Sequence, residues 1–164
     1  VGSHEGLDSM LSDQALADYC IALHRKNSEQ LGLLPADRMR DYVERGQVFT
    51  ADEGGDVCGY LIAGMKAPWA RVWQACVEYT LRGLGHGAVM VAKLETEAKT
   101  RGCIGITLRC RDGLDSNLFW QALGFELQYQ VEGGARRGKP LNVWAKRIGD
   151  DLLSNAMYPA DSAG

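Results

Sequence analysis

What this sequence lacks narrows its function first. Positive charge is not in excess: 18 Lys+Arg stand against 21 Asp+Glu, a formal net charge of −3, so a nonspecific nucleic-acid binder is excluded. Only three histidines occur, and none has ligand spacing, which argues against a metal site. No uncharged apolar run approaches the ~18 residues of a membrane span; Val57 to Met65 is among the longest. The five cysteines (Cys20, Cys58, Cys76, Cys103, Cys110) are odd in number and form no Cys-x-x-Cys pair. Reduced, mostly buried thiols in a cytoplasmic protein are expected, not a disulfide framework. Gln74-Ala75-Cys76 starts like a caspase nucleophile signature, but Val77-Glu78 breaks it, and no Gly-x-Ser-x-Gly elbow is present. Repeats and low-complexity segments are also absent. The opening Val1-Gly2-Ser3-His4-Glu5 lacks the basic start and apolar stretch of a secretory signal.

What is present describes an ordinary globular chain. At 164 residues, 46% hydrophobic and 24% charged, it suits one domain with a self-sufficient core. Residues 1–9 read as a tag remnant or disordered lead, 10–149 as the domain, and 150–164 as a tail. Leu152-Leu153 in that tail is a candidate for docking on the body or on a second copy, which would give a homodimer. Charge is unevenly placed: residues 1–81 carry 7 bases and 12 acids, whereas 82–147 carry 11 bases and 6 acids. Glycine is in excess, 20 residues against an ordinary share of ~7%.

From Asp13, the apolar positions Leu16, Tyr19, Cys20 and Leu23 recur at helical spacing. Pro35 opens a second short helix that ends before Gly46. Gln47–Ala51 and Val57–Met65 form a hairpin across Glu53-Gly54-Gly55-Asp56, and Arg71–Val77 is a third strand. A helix from Ala88 to Arg101 carries the stripe Val91, Leu94, Ala98, with Glu95–Lys99 and Glu97–Arg101 as wet-side pairs. Ile104, Ile106, Leu108 and Cys110 alternate along a strand. Asn117–Leu123 is a short helix, and Phe125–Val131 with Asn142–Arg147 is a last strand pair. Their loop holds the basic residues Arg136, Arg137 and Lys139. The expectation is an α/β protein of the α+β type, with a mixed central sheet of about six strands and flanking helices.

The strongest local signal is Arg82-Gly83-Leu84-Gly85-His86-Gly87 between the third strand and the long helix. Glycines leave backbone amides open to a ligand, and the helix start adds roughly half a positive charge, the makings of a phosphate cradle. Gly83-x-Gly85-x-x-Ala88 satisfies a dinucleotide fingerprint, but the strand is third of six and the next ends in Arg109 and Arg111, so a Rossmann domain fits poorly. The other reading is Arg-x-x-Gly-x-Gly, met by Arg82, Gly85 and Gly87 just after Ala75-Cys76-Val77. Together with Asn117-Leu118-Phe119-Trp120 and Gly124-Phe125 downstream, this resembles the GNAT family of N-acetyltransferases over residues 47–147.

The resemblance implies the acyl-CoA N-acyltransferase fold, with its first strand weak or missing here. It also implies direct transfer of an acetyl group from acetyl-CoA to the amine of a small molecule or peptide. Amides of Gly83, Leu84, Gly85, His86, Gly87 and Ala88 would hold the pyrophosphate beside Arg82. Ala75, Cys76 and Val77 would bind the pantetheine edge-on, with an amide near Val77 as oxyanion donor. Asn117 matches the position that contacts the cofactor's arm. Trp120 stands where the family often has a Tyr, and its indole N–H cannot protonate a leaving thiolate. Glu78 is the first candidate for the base that deprotonates the acceptor; Asp112 and Asp115 are alternatives. His86 is expected to be a tolerant, solvent-facing position. A lapsed CoA-binding module is the alternative function.

Overall fold

The computed structural model describes residues 11–133 and 138–149. Helix α1 (Asp13–Lys26) begins where the Ser12 side chain accepts from the Ala15 amide at 3.1 Å, a capping bond typically contributing ~1 kcal/mol. Its apolar side buries Ala17, Cys20, Ile21 and Leu23, with His24 also inside, bonded through Nε2 to the Gly32 carbonyl at 2.8 Å. A short helix α2 (Ser28–Leu31), not expected from periodicity, follows within one residue, then α3 (Ala36–Glu44). Pro35 caps α3 rather than opening it.

Strands β1 (Val48–Glu53) and β2 (Asp56–Lys66) form the expected antiparallel hairpin. Cys58 through Ala63 of β2 are all buried, as befits a strand covered on both faces. Strand β3 (Trp69–Val77) follows after a cis Ala67–Pro68 bond, and a 3₁₀ turn (Tyr79–Leu81) leads into the glycine segment. The remaining elements are α4 (His86–Thr100), β4 (Gly105–Arg111), α5 (Ser116–Ala122), β5 (Glu126–Val131) and β6 (Leu141–Arg147). The sheet order is β1-β2-β3-β4-β6-β5, six strands as expected, with β3·β4 parallel and β4·β6 and β5·β6 antiparallel. The N-terminal segment that would carry a further strand, the loop arginines Arg136 and Arg137, and the tail with Leu152-Leu153 lie outside the described residues.

The described chain falls into two compact units. One comprises residues up to Ala63 with Gln74–Lys93; the other comprises Gly64–Trp73 and everything from Leu94 onward. The first unit's core gathers Cys20, Ile21, Leu23 and Met39 from the helices against Tyr60, Ile62 and Cys76 of the strands. Each such apolar side chain contributes ~1.5–3 kcal/mol on burial. The second unit buries Ile106, Leu108 and Cys110 of β4 with Trp120, Phe125, Val143 and Trp144. Of the two expected helix pairs, Glu97–Arg101 forms at 2.8 Å, whereas Glu95 reaches Lys146 of β6 at 2.7 Å. The sheet offers Glu95 a half-buried partner that an isolated helix does not have.

The β3·β4 register runs from Trp69↔Gly105 to Val72↔Leu108 and extends no further among the described residues. The last five residues of β3 therefore have no β4 partner. All five cysteines are free thiols and buried. Among the described residues, no helix is long and apolar enough to cross a membrane, and no group of three or more His, Cys, Asp or Glu can hold a metal.

Candidate active site

The C-terminal end of β3 concentrates the predicted chemistry of the first unit. The Glu78 amide donates to the Cys58 carbonyl of β2 at 2.9 Å. Successive residues of a strand alternate their amides, so the Val77 N–H turns to the opposite edge, where β4 does not pair. Gly59 of β2 permits the close approach behind it: a Cβ there would lie 2.9 Å from the Cys76 carbonyl oxygen and 3.2 Å from the Val77 Cα. Ala75 and Val77 are half-buried, while Cys76 is turned into the core, and burial pushes its thiol pKa up. Of this segment, backbone rather than the Cys76 side chain faces outward.

Glu78 is half-buried, and its Oε2 accepts from the Tyr19 hydroxyl of α1 at 2.9 Å. Burial, followed by the Glu78 hydrogen bond, raises the Tyr19 pKa far above that of an ordinary phenol, so the hydroxyl remains a donor. Helical spacing reads Tyr19 as a core residue; its polar tip is invisible to periodicity. Tyr60 donates in the same way to Gln74 Oε1, and Gln74 Nε2 donates on to the Leu31 carbonyl at 3.4 Å.

Arg82 closes the turn between strand and loop. Its Nε donates to the Val77 carbonyl at 2.9 Å, its Nη2 donates to Asn27 Oδ1 at 3.0 Å, and its guanidinium lies 5.3 Å from the Tyr79 ring centre. Asn27 in turn donates to the Leu23 carbonyl at the end of α1. Asn27 is a site residue that the sequence reading missed, and a lone polar residue after a helix carries no signal of its partner.

Beyond Arg82 the loop is open. Residues 82–85 are exposed, with Leu84 at 63%. Gly83 and Gly85 have φ of +80° and +89°, and a Cβ at either would meet nothing within 4 Å. Backbone conformation, not crowding, requires glycine at both positions, and the space a side chain would enter is open. Val89 donates to the Gly85 carbonyl at 3.1 Å, starting α4, whose first amides have no intrahelical acceptor. His86 corrects the expectation of a solvent-facing position. It is 9% exposed, and its Nε2 pairs with Glu53 Oε1 at 2.8 Å, because the first turn of α4 lies against the β1–β2 hairpin. Gly87 is buried and Ala88 exposed.

Asn117 and Trp120 belong to the second unit. Asn117 Nδ2 donates to the carbonyls of Arg111 and Leu114, both at 2.9 Å. Its Oδ1 accepts from Asn142 Nδ2 at 3.0 Å and Trp144 Nε1 at 2.9 Å, so the protein itself occupies the whole amide. Trp120 is 5% exposed, packed edge-on to Phe119 and Phe125. Asp112 accepts from Asn142 at 3.2 Å, and Asp115 precedes α5 without a side-chain capping bond.

No curated protein sequence matches the chain. Ard1 from Thermoplasma volcanium superposes with a TM-score of 0.73 at 12% identity, covering 85% of this chain and 95% of that one. Aminoglycoside 6'-acetyltransferase type Ii gives 0.70 at 23%, covering 87% and 97%. An aminoglycoside 6'-N-acetyltransferase complexed with coenzyme A gives 0.67 at 20%, covering 82% and 92%. These likenesses carry the fold. The acetyltransferase (GNAT) family model matches residues 14–125, more than half the sequence, and the chain belongs to that family.

Proposed function

We propose that this protein is a cytoplasmic N-acetyltransferase that passes an acetyl group from acetyl-CoA to a primary amine, with Glu78 as the base. The observation that carries the reading is the position of Glu78. It directly follows Val77, whose N–H faces the unpaired edge of β3, and its carboxylate is already held in one orientation.

The residues present fit the cofactor. Gly83 and Gly85 lie in an exposed loop with open space where side chains would stand, just before the start of α4, which suits a pyrophosphate. The free edge of Ala75–Val77 suits an amide-bearing arm laid along a strand. A structural neighbour of the same fold is complexed with coenzyme A. Acetyl-CoA supplies the activated thioester. The Val77 N–H is the donor available to the carbonyl oxygen as negative charge builds there. A lysine-like amine is protonated at neutral pH, and freeing its lone pair costs about 4.6 kcal/mol at pH 7. Glu78 takes that proton. No acid is required of Trp120, since a thiol with a pKa near ~8.5 leaves readily as thiolate.

The acceptor is tested by following thiol release from acetyl-CoA over spermidine, kanamycin A and a peptide with a free N-terminus. Acceptor-dependent release in the wild type, lowered on the order of 10²-fold or more in Glu78→Gln with unchanged acetyl-CoA affinity, supports the reading. An unaffected Glu78→Gln rate removes Glu78 from the mechanism. Tight acetyl-CoA binding with no release for any amine favours a CoA-binding module instead.

A further inference from the structure

We propose that Tyr19 is a positioning residue: its hydroxyl fixes the Glu78 carboxylate so that the second oxygen, Oε1, meets the acceptor ammonium. This rests on the reading of Glu78 as the base. Tyr19 sits in the apolar stripe of α1 beside Cys20 and Leu16, where phenylalanine would pack equally well. The hydroxyl therefore calls for its own explanation, and its partner is Glu78 Oε2 at 2.9 Å. Because burial and that bond hold the phenol in its protonated form, the hydroxyl donates at every working pH.

Two anchors from different elements then act on one residue. The Glu78 backbone is tied to β2 through the Cys58 carbonyl, and its carboxylate is tied to α1 through Tyr19. Among the described residues, Oε1 accepts no protein hydrogen bond, which leaves it as the oxygen for an incoming N–H. A glutamate with free side-chain torsions would sample many orientations at the strand end. One fixed oxygen removes most of them before substrate arrives, and preorganisation of this kind speeds proton transfer without strengthening cofactor binding. The proton given up by the amine nitrogen goes to Oε1, and Tyr19 keeps its own.

The test uses two acceptors of equal heavy-atom count. Ethylamine is cationic at pH 7.5 and needs a base; methoxyamine is neutral there and does not. Both are supplied at high concentration to the full chain with acetyl-CoA, and thiol release is followed. Glu78→Gln should slow ethylamine on the order of 100-fold and methoxyamine less than about threefold. Tyr19→Phe should show the same selectivity at smaller size, about tenfold for ethylamine and under about twofold for methoxyamine, with the acetyl-CoA KM unchanged. Tyr19→Met, which fills the space without a hydroxyl, provides a second measure should the phenylalanine variant fold poorly. Equal losses for both amines, or no loss, in the Tyr19 variants beside a selective Glu78→Gln overturns the inference alone. A Glu78→Gln that spares ethylamine, or a wild type that turns over neither amine, overturns the proposed function and the inference together.

Discussion

The two units use their polar groups in opposite ways. In the first, the loop from Arg82 to Gly85 is exposed, Glu78 has a single side-chain tether, and the Val77 amide faces an edge without a strand partner. In the second, Gln130, Asn142, Asn117, Asp112 and Trp144 bond one another in a closed network that also caps the Arg111 and Leu114 carbonyls. The two family signatures fall one in each unit. The signature residues of the first unit are thus left open in the way the proposed function requires, whereas Asn117 of the second is fully bonded within the protein.

The largest expected effect tests the open side of this contrast. Gly85→Val places a β-branched side chain at φ +89°, in space that is otherwise empty. Left-handed backbone costs a non-glycine residue roughly 1–2 kcal/mol, too little to unfold a domain of ordinary stability. The side chain would occupy the volume beside the loop amides, so acetyl-CoA affinity by calorimetry should fall on the order of 100-fold, about 2.7 kcal/mol. Undiminished affinity would mean that the loop is not the phosphate cradle.

The closed side predicts the reverse pattern. Asn117→Ala leaves the Trp144 indole N–H without its acceptor and removes one hydrogen bond each from the Asn142 amide and the Arg111 and Leu114 carbonyls, which keep Asp112 and backbone amides as partners. A buried donor left unsatisfied costs ~1–3 kcal/mol, and the groups that keep a second partner lose less, so a net loss of about 2 kcal/mol in urea unfolding is expected. Acetyl-CoA affinity of the folded protein should stay within about twofold. Lost affinity with unchanged stability would move Asn117 to the ligand side of the comparison.

How much of this was legible in the sequence follows from the range of each interaction. Every expected helix and strand lies within about two residues of its observed span, because apolar periodicity and Gly/Pro punctuation are local. The glycine loop was legible for the same reason. Tyr19 was not, since its ring obeys the stripe and only its hydroxyl breaks it, toward a residue 59 positions away. His86 failed likewise: its partner Glu53 lies 33 positions earlier, and in a loop reading it had none. Asn117 matched its signature, but the four bonds that occupy it join three elements, and no motif records them.

The buried thiols and phenols of the first unit predict how it responds to alkali. Burial first, then the nearby Cys76, pushes the Cys20 thiol up to about 12 from an ordinary value of 9.0. The folded state thus binds the proton more tightly than the unfolded one. The stabilisation is fully present below pH 9 and declines as pH rises toward 12, by about 1.4 kcal/mol per pH unit for this group. Urea unfolding from pH 8 to 11 should show stability flat and then falling. Cys20→Ser, whose hydroxyl does not titrate there, should flatten the fall by about one proton's worth. An identical slope in the variant would show that Cys20 is not the group responsible.

The smallest effect bears on how rigid the open side must be. His86 begins α4, and its ring is buried, yet the Glu53 that pairs with it is half-exposed at 52%. A hydrogen bond contributes a net ~0.5–1.5 kcal/mol, and Glu53→Gln retains a hydrogen-bonding side chain, so unfolding free energy should change by less than about 1 kcal/mol. Its effect on acetyl-CoA affinity is the more informative measurement. If the pair merely fills space behind the loop, affinity should track stability and barely move. If it sets the angle at which the first α4 amides leave the loop, affinity should fall about two- to threefold while stability holds, since helix-terminal donors bind anions only when aimed at them. The second outcome is expected, because His86 lies inside the segment whose amides would contact the phosphates. The open unit would then depend on one buried contact for its geometry, as the closed unit depends on several.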